Sequence, residues 1–177
     1  SLSIGIISMS IAVVIGVSIG SIAGFFGGKF DNLLMRFTDL MLTIPRLFLL
    51  IIMAVILRGI NWPYLQESGG IIAIIVVIGI LSWMSIARLV RCSFLSLREK
   101  EFVEAARSLG LTNARIITRH ILPNAISPII VAATLGVACA IITESGLSFL
   151  GFGVQPPTPT WGNMLRSAQD EMLRGNM

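Results

Sequence analysis

The side chains that could do chemistry are few and scattered. His120 is the only histidine in 177 residues, and no nucleophile motif stands near it to need a general base. Cys92 and Cys139 lie far apart, with no CxxC or Cys/His spacing around either. Neither a zinc site nor a disulfide scaffold is encoded, and both read as small apolar fillers. No GxxxxGK[ST] string is present to cradle phosphates, so the chain carries no ATPase, catalytic, metal or cofactor motif. Two acids stand out by context. Glu104 opens the string Glu104-Ala105-Ala106 ahead of Gly110, and Glu144 is the one acid within a long apolar run. At a bilayer centre an acid costs roughly 2.5–3.5 kcal/mol on insertion scales. Glu144, however, lies about 29 Å along a helix begun at Ala125, which sets it near the outer interface. There it either lines the mouth of a pathway or makes a structural hydrogen bond.

The elements that carry these residues follow from composition. Hydrophobic residues make up 55% of the chain and charged residues 12%, with a mean hydropathy of +0.89. Soluble domains carry roughly 25% charged residues, so too little charge is present to cover a water-facing surface. Disorder, nucleic-acid binding and most soluble enzymes are excluded, and the fold class expected is an all-α membrane protein, a polytopic helical bundle. Ile4 to Phe26 holds no charge and is long enough to cross a hydrocarbon core of about 30 Å. Gly16, Gly20 and Gly24 repeat a GxxxG spacing along it, the pattern for close helix–helix approach in lipid. Three further spans are expected, giving a set at about 4–27, 36–57, 71–91 and 125–150. The second is kinked at Pro45, with Arg46 snorkelling. Runs this long without alternation do not fit barrel strands.

Charge sets the orientation. Lys29 and Arg36 follow the first span, with Arg46 just beyond. Arg88 to Arg119 carries seven of the 13 basic residues: Arg88, Arg91, Arg98, Lys100, Arg107, Arg115 and Arg119. The 58–70 connection and the segment from Gly153 are nearly balanced. Under the positive-inside rule the two basic connections face the cytoplasm, and 153–177 forms an external loop stiffened by Pro156, Pro157 and Pro159, with Trp161 as an interfacial aromatic. The basic cluster serves topology alone or also faces a partner. Nucleic acid is a poor candidate, since only Phe94 and Phe102 interleave with it.

The cytoplasmic segment 96–123 has a design of its own. Ser96 and Glu99 fit a capping box. Phe102, Ala105, Ala106 and Leu109 recur as one apolar stripe, while Lys100, Glu104 and Arg107 are spaced for ion pairs. Gly110 sits where a helix end wants a left-handed residue, with Leu111 to follow it. Thr112 is placed to cap a second short helix, which Pro123 ends by pushing Leu122 out of the helical region. Two short amphipathic helices joined at a glycine turn are more than a connector needs. The apolar stripe calls for a partner: the chain's own spans, lipid, or a second protein.

Glu104-Ala105-Ala106, then Gly110, then His120-Ile121-Leu122-Pro123 resembles the EAA loop of permease subunits of binding-protein-dependent ATP-binding-cassette importers. The departure at His120, where the general pattern has an aliphatic residue, is similar to the branch that covers dipeptide, oligopeptide and nickel permeases. Phe149-Leu150-Gly151-Phe152-Gly153-Val154-Gln155-Pro156-Pro157 through Trp161-Gly162-Asn163-Met164-Leu165 resembles that branch, as does Leu34-Met35-Arg36-Phe37-Thr38-Asp39. The resemblance implies a type I importer permease without cofactor, in the cell inner membrane. It would pair with a homologous permease subunit over two cytoplasmic ATPase subunits and receive cargo from an external solute-binding protein. Glu104, Ala105, Ala106, Gly110, His120, Leu122 and Pro123 would then be the ATPase-coupling residues, and the chain would lack a first and a last helix of the family. Glu104 pairs either with an ATPase residue or with Lys100 or Arg107. Ala105 and Ala106 either permit close approach to a cleft wall or simply favour helix. The function expected is ATP-driven import of dipeptides or oligopeptides by alternating access, the alternatives being nickel import or a non-transporting membrane scaffold or channel.

Overall fold

A computed structural model describes residues 1–59 and 70–175, and among these every regular element is helical. In chain order they are α1 (Leu2–Phe26), α2 (Gly28–Thr43), α3 (Arg46–Gly59), α4 (Ile71–Leu97), α5 (Glu101–Ser108), α6 (Asn113–Ile116), a π-helical segment (Ile117–Ile121), α7 (Leu122–Phe149) and α8 (Trp161–Leu173). Most of the 58–70 connection lies outside the described residues. Among the described residues three continuous helices are long and apolar enough to cross a membrane: Leu2–Phe26, Ile71–Leu97 and Asn113–Phe149. A fourth span exists only if the bent pair Asp31–Thr43 and Arg46–Leu57 is taken as one.

The second span differs from its expected form for a local reason. Pro45 lacks an N–H and biases Ile44 away from helix, so the chain breaks there rather than kinks, and the N–H groups of Phe48 and Leu49 bond back to the Pro45 carbonyl. The expected basic loop after the first span is also helical. Only Gly27 separates α1 from α2, and Gly27 and Gly28 turn the chain with φ of 64° and 72°, a left-handed conformation that glycine adopts without a Cβ clash.

The chain divides into two compact units. The first comprises Ser1–Ser10, Ile44–Leu81 and Leu135–Met177. Its core holds Ile4, Leu50, Ala54, Ile74, Val77, Ile78, Ala140, Leu147 and Val154. Here α1 runs antiparallel to α7. A Cβ on Gly5 would come 2.6 Å from Ile141, and one on Gly136 would collide with the Met9 side chain.

The second unit comprises Ile11–Thr43 and Ser82–Thr134, and its seam is the glycine ladder. A Cβ on Gly16 would meet Ile86 at 2.7 Å, on Gly20 the Ala87 carbonyl at 2.5 Å, and on Gly24 the Phe94 Cβ at 2.6 Å. The partner rises with the glycine, so α1 and α4 run parallel with their backbones nearly touching. The GxxxG spacing predicts this approach, and it brings fully buried Ala87, Val90 and Phe94 onto the seam. Then α2 turns back along α4. Arg91 holds Asp31 by Nε to Oδ1 at 2.5 Å and Nη2 to Oδ2 at 2.6 Å, while Arg88 reaches Asp39 at 3.4 Å.

Two glycines test the seam against helix propensity. Gly20→Ala should destabilise the protein by about 1–3 kcal/mol, because the added methyl overpacks against backbone that cannot yield. Gly146→Ala, in a helix with open space around it, should be neutral or stabilising by up to about 1 kcal/mol. Thermal unfolding of the two variants in detergent should order them so; equal midpoints would remove the close approach from the account.

Candidate functional site

The α4–α7 connection lies in the second unit and begins later than its sequence suggests. Ser96 is no cap: α4 continues through it to Leu97, because the apolar face that started the span persists through Phe94 and keeps the helix going. The first short helix, α5, starts at Glu101 after an extended Lys100 that supplies no side-chain cap. At its other end the expected glycine turn is present in full. Gly110 has φ of 74°, its N–H bonds to the Arg107 carbonyl at 2.9 Å, and the Leu111 N–H bonds to that of Ala106 at 3.2 Å. This is a Schellman ending, in which the left-handed residue lets two otherwise orphaned carbonyls be paired. Thr112 stands in the extended N-cap position of α6, without a side-chain bond.

The apolar stripe divides over two faces. Val103 and Ala106 are buried, with Ile116 and Ile121, so α5 faces the rest of its unit through the first two. Phe102, Ala105 and Leu109 face outward, and Leu109 is 80% exposed. Adjacent Phe102 and Val103 give the helix two possible apolar faces, and periodicity alone does not choose between them. Glu104 is also exposed and makes no ion pair among the described residues, so of its two alternatives the pairing with Lys100 or Arg107 is not made here.

Pro123 does not end the second short helix. The helix runs on from Asn113 to Phe149, and Leu122 is helical at φ −57°, ψ −43°. In a regular α-helix the Pro123 ring would strike the carbonyl four residues back. The chain avoids this by widening one turn before it, where Leu122 N–H bonds to the Ile117 carbonyl five residues back. His120 lies in that wide turn, half-buried, and its carbonyl accepts from Asn124 Nδ2 at 2.6 Å. Leu122 is half-buried and Pro123 exposed.

Glu104, Ala105, Ala106, Gly110, His120, Leu122 and Pro123 are therefore gathered on one short stretch of the second unit, with Glu104, Ala105, Gly110 and Pro123 facing outward. Sequence reasoning missed three bonds that hold this stretch. The Arg107 guanidinium sits 5.6 Å over the Phe25 ring, Arg98 Nη1 donates to the Gly24 carbonyl at 3.4 Å, and Arg91 forks onto Asp31. Each joins a residue that looked like a topology signal to the end of α1 or the start of α2. The signal available was Asp31, an acid beside Lys29 in a segment otherwise read as basic.

Glu144 belongs to the first unit and is fully buried. Its Oε1 accepts from Ser148 Oγ at 2.7 Å, and the same hydroxyl accepts the Val154 N–H at 3.1 Å. Its Oε2 has no partner among the described residues. The structural hydrogen bond, one of its two expected roles, is present. It ties the chain after α7 back onto the helix end, where Gly153 and Gly162 leave no room for a Cβ beside Ser148. The segment read as an external loop contains α8, which Thr160 caps by accepting the Asn163 N–H at 3.2 Å.

Residues 16–173 match the binding-protein-dependent transport system inner membrane component, and the chain belongs to that family of helical membrane permeases. It is 41% identical over 169 residues to the dipeptide transport system permease protein DppC of Alkalihalophilus pseudofirmus, covering 96% of this chain and 52% of that protein. It is 39% identical over 165 residues to the oligopeptide transport system permease protein OppC of Mycobacterium tuberculosis, covering 93% and 54%. The chain spans about half the length of the curated relatives it matches.

Two substitutions separate backbone from side-chain effects here. Gly110→Ala should cost about 1–2 kcal/mol from the left-handed backbone alone, since its Cβ would meet nothing within 4 Å. Ser148→Ala should cost about 1–3 kcal/mol by leaving the buried Val154 N–H unpaired. Both are read as unfolding free energies in detergent, and a Ser148→Ala protein as stable as the parent would make the Glu144 network incidental.

Proposed function

We propose that the chain is the membrane-spanning core of a permease subunit in an ATP-driven importer of dipeptides or oligopeptides. Its α4–α7 connection takes up the movement of cytoplasmic ATPase subunits. The observation that carries this reading is the outward strip of Phe102, Ala105 and Leu109 on α5. An eight-residue helix with one face sealed, the other apolar and exposed, and a fixed glycine turn behind it is built to be gripped. Within the EAA-like string, Glu104 and Ala105 make the contact and Ala106 seats the helix. Gly110 sets the turn, and His120, Leu122 and Pro123 join it to α7 through the widened turn. ATP hydrolysis belongs to the separate ATPase subunits, two per assembly, beneath this chain and a homologous permease subunit. An external solute-binding protein delivers the peptide. The chemistry assigned to this chain is conformational, a rocking that alternates access.

The direct test is capture of the ATPase subunits by the full membrane complex. Ala105→Asp and Leu109→Asp should each reduce capture at least tenfold while membrane insertion and expression are unchanged. Ala106→Asp serves as the folding control and should instead lower expression, because it buries a charge. Undiminished capture by both outward variants would overturn the coupling role. The orientation has its own check. In intact cells an impermeant maleimide should label Ser167→Cys and spare Ser108→Cys, in a background lacking Cys92 and Cys139.

A further inference from the structure

Four of the seven basic residues between Arg88 and Arg119 are already occupied within the second unit, and three of them converge on one place. Arg91, two turns from the end of α4, grips Asp31 in the first turn of α2 through both carboxylate oxygens, and Asp31 is 4% exposed. Arg98, in the turn between α4 and α5, donates to the Gly24 carbonyl and packs where a Gly27 Cβ would stand, 3.0 Å from its Nη1. Arg107, on α5 itself, covers buried Phe25. The turn between α1 and α2 is thus held from three successive points of the α4–α5 segment. The turn has two left-handed glycines at its centre, Gly27 and Gly28, and Gly28 has open space around it.

We propose that Phe25 and Asp31 are positioning residues that make the α1–α2 turn follow the α4–α5 segment, so that movement taken up by α5 reaches α1 directly through Phe25 and reaches α2 from α4 through Asp31, as well as passing along the chain into α4 and α7. This rests on the coupling reading given above. A guanidinium–carboxylate fork resists rotation as well as separation, unlike a single-point ion pair. It therefore carries α2 with α4 in orientation and in position. The Arg107–Phe25 contact depends on an aromatic face, which gives it a signature that mere packing lacks. The flexible glycine pair lets the turn adjust without unwinding either helix.

The test uses the whole importer, with its ATPase subunits and solute-binding protein, in proteoliposomes. Phe25→Leu keeps apolar volume but removes the π face; Phe25→Tyr keeps both. Asp31→Asn weakens the fork, and the exchange Asp31→Arg with Arg91→Asp rebuilds it reversed. Phe25→Leu and Asp31→Asn are each expected to lower peptide transported per ATP hydrolysed at least fivefold, with ATPase capture at the parent level. Phe25→Tyr and the double exchange should recover most of it. A spin label at Lys29→Cys, in a Cys92→Ser/Cys139→Ser background, should change mobility on ATP trapping in the parent and not in Phe25→Leu. The proposal is overturned if Phe25→Leu and Phe25→Tyr transport equally per ATP, or if the label responds alike in both. Should Asp31→Asn fail to fold, the Phe25 pair decides alone. Loss of ATPase capture in the otherwise unaltered parent would instead bring down the coupling reading and this proposal with it.

Discussion

The second unit depends on the backbone contact between α1 and α4. Lipid offers helices no hydrophobic reason to associate, since hydrocarbon solvates leucine as well as another helix does. What remains is dispersion at close range, which falls steeply with separation. Gly16, Gly20 and Gly24 remove the side chains that would keep the axes apart, and Ile86, Val90 and Phe94 fill the space gained. The approach also fixes a register. Because Gly24 meets Phe94, the end of α1 lies beside the last turns of α4, and Arg98 finds the Gly24 carbonyl within reach. A seam one turn out of register would leave Arg98, Phe25 and Arg107 without these partners.

The first unit solves a different problem, the disposal of polar groups at a helix end. The last carbonyls of α7 have no helical partners. The Leu147 carbonyl accepts from both the Phe152 and Gly153 N–H groups at 2.8 Å, and Ser148 carries the Val154 N–H. Glu144 completes the arrangement by accepting from Ser148, so an acid costly in isolation becomes the anchor of a reversal. Asn163 ties the far side, donating to the Val154 and Thr158 carbonyls at 3.0 and 3.1 Å. The string from Phe149 to Asn163 therefore has an internal structural logic apart from any contact it makes with a partner.

What was legible in the sequence, and what was not, divides along physical lines. The glycine seam and the Gly110 turn depend on a few residues close in the chain, and both are present, whereas the second span breaks at Pro45 and the last long helix begins at Asn113 rather than Ala125. The Ser96 capping box is local too, yet it fails because the longer apolar face of α4 outweighs one cap. Pro123 misled for a related reason. Its clash with the preceding turn is real, but a single widened turn absorbs it while Asn124 pairs the His120 carbonyl. The Asp31–Arg91 fork joins residues 60 positions apart, and no spacing rule links them. Nor could periodicity choose which face of α5 is buried. That choice rests on tertiary contacts, among them those with α6 and the π-helical segment, which the helix itself does not contain.

The basic residues show why charge counting, which addresses orientation alone, misses organisation. A positive-inside bias requires only that arginines be present on one side of the membrane; it is indifferent to where each one points. Here Arg88, Arg91, Arg98 and Arg107 each have an assigned partner, and the partners lie on α1, α2 or the turn between them. An arginine near a helix end can meet both requirements at once, since its long apolar stem crosses packed surface while the guanidinium reaches a carbonyl, a carboxylate or a ring. A segment under pressure to be basic is thus well supplied with groups that can bond to neighbouring elements. In this chain Arg88, Arg91, Arg98 and Arg107, four of the seven residues of the basic cluster, bind the α4–α5 segment to α1 and α2.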